Sequence, residues 1–173
     1  MKKRAYTNAN TVIKYILGRD NVELLIKNAR IVDKDKDFQG DIYIKDGKIS
    51  AYGKDLNYNC KNIDGNGLVA MPSFLDMHVH FREPGYTYKE DIYTGSKAAL
   101  KGGYTFVNLM GNTKPIVSNM EIVNYVLDRA NKLDLIDIHQ VVSITKNFDG
   151  ETLAHLDELD NRVNVSPSKF LVM

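Results

Sequence analysis

"MPSFLDMHVHFREPG", residues 71–85, sets an apolar run ahead of two histidines, an arginine and a turn. The longer stretch "GLVAMPSFLDMHVH", residues 67–80, is apolar enough to be a strand covered on both faces. The chain has four histidines, and two of them, His78 and His80, stand two apart at the end of that run. In a strand, residues i and i+2 project to one side, so both imidazoles face the same way. Two neutral ring nitrogens can then meet one divalent ion at about 2.0–2.1 Å. A lone His-x-His pair can equally serve ordinary hydrogen bonds, so its surroundings decide the reading.

Upstream, residues 22–67 carry short β-type runs, "VELLIKNARIV" and "DIYIKDGKISAYG". The second sets Ile42 and Ile44 against Tyr43 and turns at Asp46-Gly47, a pair suited to a type I′ hairpin because both central positions need positive φ. A small antiparallel β domain over 22–67 is expected. Downstream, "TYKEDIYTGSKAALKGG" predicts a helix with Thr87 as N-cap, Glu90 at its third position and Gly102-Gly103 as its stop. "YTFVNLM" reads as a second buried strand, "NMEIVNYVLDRANKL" as a second helix and "LIDIHQVVSIT" as a third strand. A further helix is expected around Glu151–Leu159. Strands alternating with helices imply parallel βα units, an α/β fold over residues 68–173.

Composition narrows the partners. The 173 residues are 43% hydrophobic and 26% charged, as in ordinary globular proteins. Lys and Arg total 23 against 22 acidic residues, a net charge of +1. Such a balance offers no attraction to nucleic acid or an anionic membrane. A small-molecule substrate is the expected partner. The single cysteine, Cys60, forms no internal disulfide, in keeping with a reducing compartment. Residues 1–21 predict at most a short helix with Val12, Ile13, Ile16 and Leu17 on one face. Its apolar stretch "TVIKYILG" is interrupted by Lys14 and too short for a signal peptide or a span, so the cytoplasm is the expected location.

Around the histidines the residue types suit a hydrolytic metal site. Asp76 precedes them and could accept a ring N–H, orienting an imidazole toward metal; it could equally cap a loop. Arg82 offers a planar fork for a substrate carboxylate, or else an ion pair with Glu83 or Glu90. Asn112, in "MGNTKP" after the second strand, can donate to and accept from a polar ligand, or simply belong to a loop.

Taken together and in this order, "DMHVHFREPG", "KGGYT" and "GNTKP" resemble the dihydroorotase branch of the amidohydrolase superfamily, from about Val22 to Glu158. The resemblance implies a small β domain followed by the first three or so βα units of a (β/α)8 TIM-like barrel. It implies that His78 and His80 are ligands of zinc, the more buried of two ions. Arg82 and Asn112 would hold the carboxylate of dihydroorotate, and His80 and Phe81 would line the substrate site. The implied reaction is the reversible closure of N-carbamoyl-L-aspartate to L-dihydroorotate in pyrimidine synthesis, zinc polarising the ring amide and a late aspartate moving the proton. Arg82 separates this branch from hydantoinases and allantoinases, which resemble the segment but usually carry another residue there.

A whole barrel takes about 250 residues, or about 31 per unit, so the stretch from Leu68 accommodates three units and a stub. The resemblance therefore implies an N-terminal piece, lacking the late aspartate and inactive alone. Its partner would be a companion chain or further copies of itself. His139 and His155 match no ligand position of the family. Lys169 stands about where a bridging carbamylated lysine would, but its flanking residues do not match. A non-catalytic partner of aspartate transcarbamoylase is the alternative; such chains tend to lose the metal histidines that are present here.

Overall fold

The structure, a computed structural model, describes residues 23–153, 156–159 and 163–166. The expected helix in residues 1–21, His155 and Lys169 lie outside the described residues. The chain divides into two units between Ser73 and Phe74.

In the first unit β1 (Leu24–Asp33) pairs antiparallel with β2 (Lys36–Lys45), which pairs antiparallel with β3 (Lys48–Gly53). β4 (Lys61–Asp64) and β5 (Val69–Ala70) run parallel to β1. Asp46 and Gly47 turn the β2–β3 hairpin at φ of 49° and 67°, the positive pair that a type I′ turn requires. Leu24, Ile42 and Ile44 form the core, with Ile26, Ile31, Ile63 and Ala70 packed on it. The alternation expected in β2 is incomplete, because Tyr43 is buried as well. Its ring stacks on Tyr58 at 3.7 Å and its hydroxyl donates to Glu23 at 2.7 Å, so the other face of β2 is also covered. Asp41, 2% exposed, accepts from Lys27 Nζ (2.7 Å) and from the amides of Asn28 and Leu56 (both 2.9 Å). Burial pushes its carboxyl pKa up, but these three donors outweigh that and hold it below the ordinary value.

The second unit is α/β. It contains β6 (Phe74–Val79), α1 (Ile92–Lys101), β7 (Tyr104–Leu109), α2 (Met120–Leu133), β8 (Asp137–Ser143) and β9 (Val163–Ser166). The four strands are parallel in the order β6-β7-β8-β9, as successive βα crossovers demand. Val117, Val123 and Val142 form a core between α2 and β8, with Met120, Ile122, Leu127 and Leu159 around it.

Three local expectations change. The first helix begins at Ile92, not after Thr87. Asp91 accepts from Thr94 N at 2.7 Å while its own amide donates to Thr94 Oγ1. This is a reciprocal cap that Thr87 and Glu90 do not form. Gly102 ends the helix as expected. In the expected third helix, only a 3₁₀ turn, Leu156–Glu158, forms among the described residues. Ahead of it the Asp149 carboxylate accepts from the amides of Glu151 and Thr152, a local turn that competes with helix. Finally, the run read as one doubly covered strand is split. Val69–Ala70 joins the first sheet, and β6 forms an edge of the second with Phe74, Leu75 and Met77 47%, 54% and 60% exposed. Among the described residues β7 is its one strand neighbour, which leaves the backbone groups on its other edge without a strand partner.

Candidate active site

The site lies where the chain leaves β6 and β7, the ends at which α/β sheets collect functional groups. The β6–β7 register shifts between Asp76 and Val79, and Asp76 Oδ1 accepts from the His78 amide at 2.9 Å. Asp76 thus shapes the strand end through the backbone; the expected bond to a histidine ring is not made. Beyond the shift the His78 and His80 rings converge, Nε2 to Nε2 at 3.2 Å. His80 Nδ1 meets Asn112 Oδ1 at 2.7 Å. An amide oxygen only accepts, so Nδ1 carries the proton, and in the tautomer that could ligate metal the lone pair lies on Nε2, directed toward His78.

Two interlocked loops bring His80 and Asn112 together. Met110 N donates to Val79 O at 2.9 Å, carrying the ladder past the end of β6, and Lys114 N donates to Pro84 O at 3.1 Å. At Gly85, with φ of 89°, a Cβ would lie 1.9 Å from Lys114 O. The approach of the two loops therefore requires glycine. Gly111 O accepts from Thr113 and Val117, closing the loop that presents Asn112.

Arg82 sits at φ 60°, half-buried, and its guanidinium has no hydrogen-bond or ion-pair partner among the described residues. The pairing with Glu83 weighed from sequence is not formed. Glu83 is 5% exposed, and its carboxylate accepts from Ile92 N (2.9 Å) and Tyr125 Oη–H (2.8 Å), with Arg129 Nε at 3.6 Å. The Glu83 hydrogen bond, aided by burial, raises the Tyr125 pKa. Phe81 is 4% exposed, its ring under Gly95 of α1, so the side chain belongs to the packing of the unit and only its backbone remains for a ligand. His139 packs edge-on against Phe106 at 4.8 Å, within the sheet.

The two imidazoles fit a metal ion in spacing: two donors on one tetrahedral zinc at about 2.05 Å lie about 3.3 Å apart. Among the described residues no group of three or more His, Cys, Asp or Glu is placed to hold a metal. His78 and His80 could therefore supply part of a coordination sphere. Sequence reading missed Glu83 as an anchor and Gly95 as the seat of Phe81. A glycine inside a helical pattern is the signal that pointed to the second.

A family model of dihydro-orotase-like proteins matches residues 67–167. The chain belongs to that family. It is 57% identical over 145 residues to a dihydroorotase of Clostridium botulinum, a match covering 82% of this chain and 36% of that protein. A dihydroorotase of Lactococcus lactis is 48% identical over 139 residues, covering 79% and 33%. The chain thus spans about a third of the length of these curated relatives. Among solved structures, L-hydantoinase (dihydropyrimidinase) from Arthrobacter aurescens superposes with a TM-score of 0.65 at 25% identity, over 73% of this chain and 29% of that one. A D-hydantoinase gives 0.61 at 29% identity, over 74% and 28%. The parallel βα units are accordingly part of an amidohydrolase barrel fold. No described helix is long and apolar enough to cross a membrane.

Proposed function

We propose that this chain carries the first part of a dihydroorotase active site: His78 and His80 as zinc ligands, Arg82 and Asn112 as the grip on a substrate carboxylate. The first unit, whose sheet runs as far as Val69–Ala70, is its small β domain, and the βα units from Phe74 onward are the opening part of its barrel. The observation that carries the reading is the 3.2 Å convergence of the two Nε2 atoms with Asn112 behind one of them. The family match and the unpaired guanidinium of Arg82 support it. The reaction is the reversible interconversion of N-carbamoyl-L-aspartate and L-dihydroorotate, in the cytoplasm.

Zinc, when bound, polarises the scissile amide and activates water. His80 presents its Nε2 lone pair because Asn112 holds the proton on Nδ1. Arg82 offers a planar guanidinium that pairs with the ring's carboxylate in two parallel hydrogen bonds and so orients the amide. Phe81 supports this through its backbone. Catalytic zinc normally takes three protein ligands, so two histidines bind it weakly and turnover needs ligands and a proton-moving aspartate from elsewhere in a longer enzyme, a companion chain or a further copy. The alternative, a non-catalytic partner of aspartate transcarbamoylase, is disfavoured by retention of His78, His80, Arg82 and Asn112; a hydantoinase or allantoinase activity is disfavoured by Arg82.

The test is zinc titration of the purified chain together with dihydroorotate hydrolysis at neutral pH. Zinc uptake that disappears in His78→Ala and His80→Ala, without turnover by the chain alone, is expected. Zinc uptake unchanged in both variants would remove the site.

A further inference from the structure

Arg82 adopts a backbone conformation that side-chain-bearing residues rarely hold. Its φ is 60°, and Glu83 N donates to Phe81 O across it at 2.7 Å. Arg82 is thus the central residue of a γ-turn of the rarer, strained hand. Such a conformation persists only where the surroundings over-determine it. Both neighbours are anchored. Phe81 lies 4% exposed under Gly95, and Glu83, 5% exposed, spends its carboxylate on the first amide of α1 and on Tyr125 and Arg129 of α2. On the far side Tyr86 N donates to Arg82 O at 3.0 Å. Arg82 itself contributes no bond from its guanidinium to another described residue, so its backbone is held entirely by what flanks it.

We propose that Glu83 is a positioning residue: by binding Ile92 N, Tyr125 and Arg129 it holds Arg82 in the positive-φ turn, and that conformation sets the affinity of the guanidinium for a carboxylate ligand. The ligand part rests on the proposed function; the conformational part does not. A carboxylate buried at this point stabilises α1 through one amide, but it also ties the Arg82 turn to two helices at once. Loss of Glu83 frees the turn to relax to negative φ, turning the guanidinium away from the orientation the loop imposes.

The experiment uses the full chain. The intraresidue HN–Hα NOE of Arg82, strong at positive φ, is compared in the wild type, Glu83→Ala, Glu83→Gln and Tyr125→Phe, alongside affinity for L-dihydroorotate and N-carbamoyl-L-aspartate. Tyr125→Phe removes a single hydroxyl at a half-exposed ring, and so keeps the test open if Glu83→Ala does not fold. The expected result is loss of the NOE and about ten-fold weaker binding in Glu83→Ala. Glu83→Gln should recover part of both, and Tyr125→Phe should show a smaller change of the same sign. In an Arg82→Ala background, Glu83→Ala should weaken binding no further. A positive-φ NOE as strong as that of the wild type in folded Glu83→Ala or in Tyr125→Phe, or unchanged affinity with the NOE lost, overturns the proposal. If the wild type binds neither carboxylate, the proposed function falls, and the NOE comparison alone decides whether Glu83 holds the turn.

Discussion

At His80 one hydrogen bond selects which nitrogen is free to ligate. Asn112 Oδ1, 2.7 Å from Nδ1, leaves the lone pair on His80 Nε2, which lies 3.2 Å from His78 Nε2. Replacing Asn112 by alanine should therefore lower zinc affinity by about ten-fold or more while leaving both imidazoles in place, measured by competition with a zinc-binding dye. A Kd equal to that of the wild type would mean that Asn112 does not orient the ring. The pairing of His78 with His80 is readable in the sequence because a two-residue repeat needs only strand geometry. The role of Asp76 is not: the register shift between Asp76 and Val79 is a property of β6 against β7, and it spends the carboxylate on the His78 amide.

Helix α1 shows how elements deliver the site. Its start depends on Asp91, whose carboxylate accepts from Thr94 N; that backbone hydrogen bond, opposed by burial, holds the Asp91 pKa below the ordinary value. Asp91→Ala should cost about 1 kcal/mol, read from the urea midpoint. Gly95 is the less obvious control point. In an open helix Gly→Ala gains about 1 kcal/mol. Here, however, a Cβ would lie 2.5 Å from the Phe81 ring. Gly95→Ala should destabilise by about 1–3 kcal/mol, and Phe81→Leu in the same chain should return part of that loss. The helix itself and its glycine stop are legible from local pattern. Its N-terminus is not, because Thr87, Glu90 and Asp91 all suit a cap and only packing of the loop that carries Phe81 and Glu83 chooses among them.

Over the whole molecule, folding stability should fall in acid. The pKa of Asp41 is depressed. Its contribution is therefore present above the unfolded value of about 3.9 and is lost as pH drops through the lower folded value. Urea midpoints measured from pH 7 to pH 3 should show this loss. Asp41→Asn should flatten the profile and lower stability at pH 7 by about 2 kcal/mol, since the Lys27 ammonium loses its charged partner and keeps only the Leu56 carbonyl. The exposed apolar residues of β6 make a second prediction. Light scattering should show association rising with concentration, as an uncovered edge strand invites. Leu75→Lys, at a residue 54% exposed, should reduce it.

Residue types at short spacing are enough to specify the alternation of strands and helices, the Asp46-Gly47 turn, the shared direction of His78 and His80, and the family to which the chain belongs. Backbone geometry leaves few choices over such distances. No short stretch encodes that Tyr43 is buried beneath Tyr58, that the Glu83 carboxylate pairs with the helices and not with the Arg82 guanidinium, that Phe81 seats under Gly95, or that β9 continues the sheet. These depend on which distant surfaces meet, and hydrogen-bond partners and burial arise only when segments far apart in the chain exclude water between them.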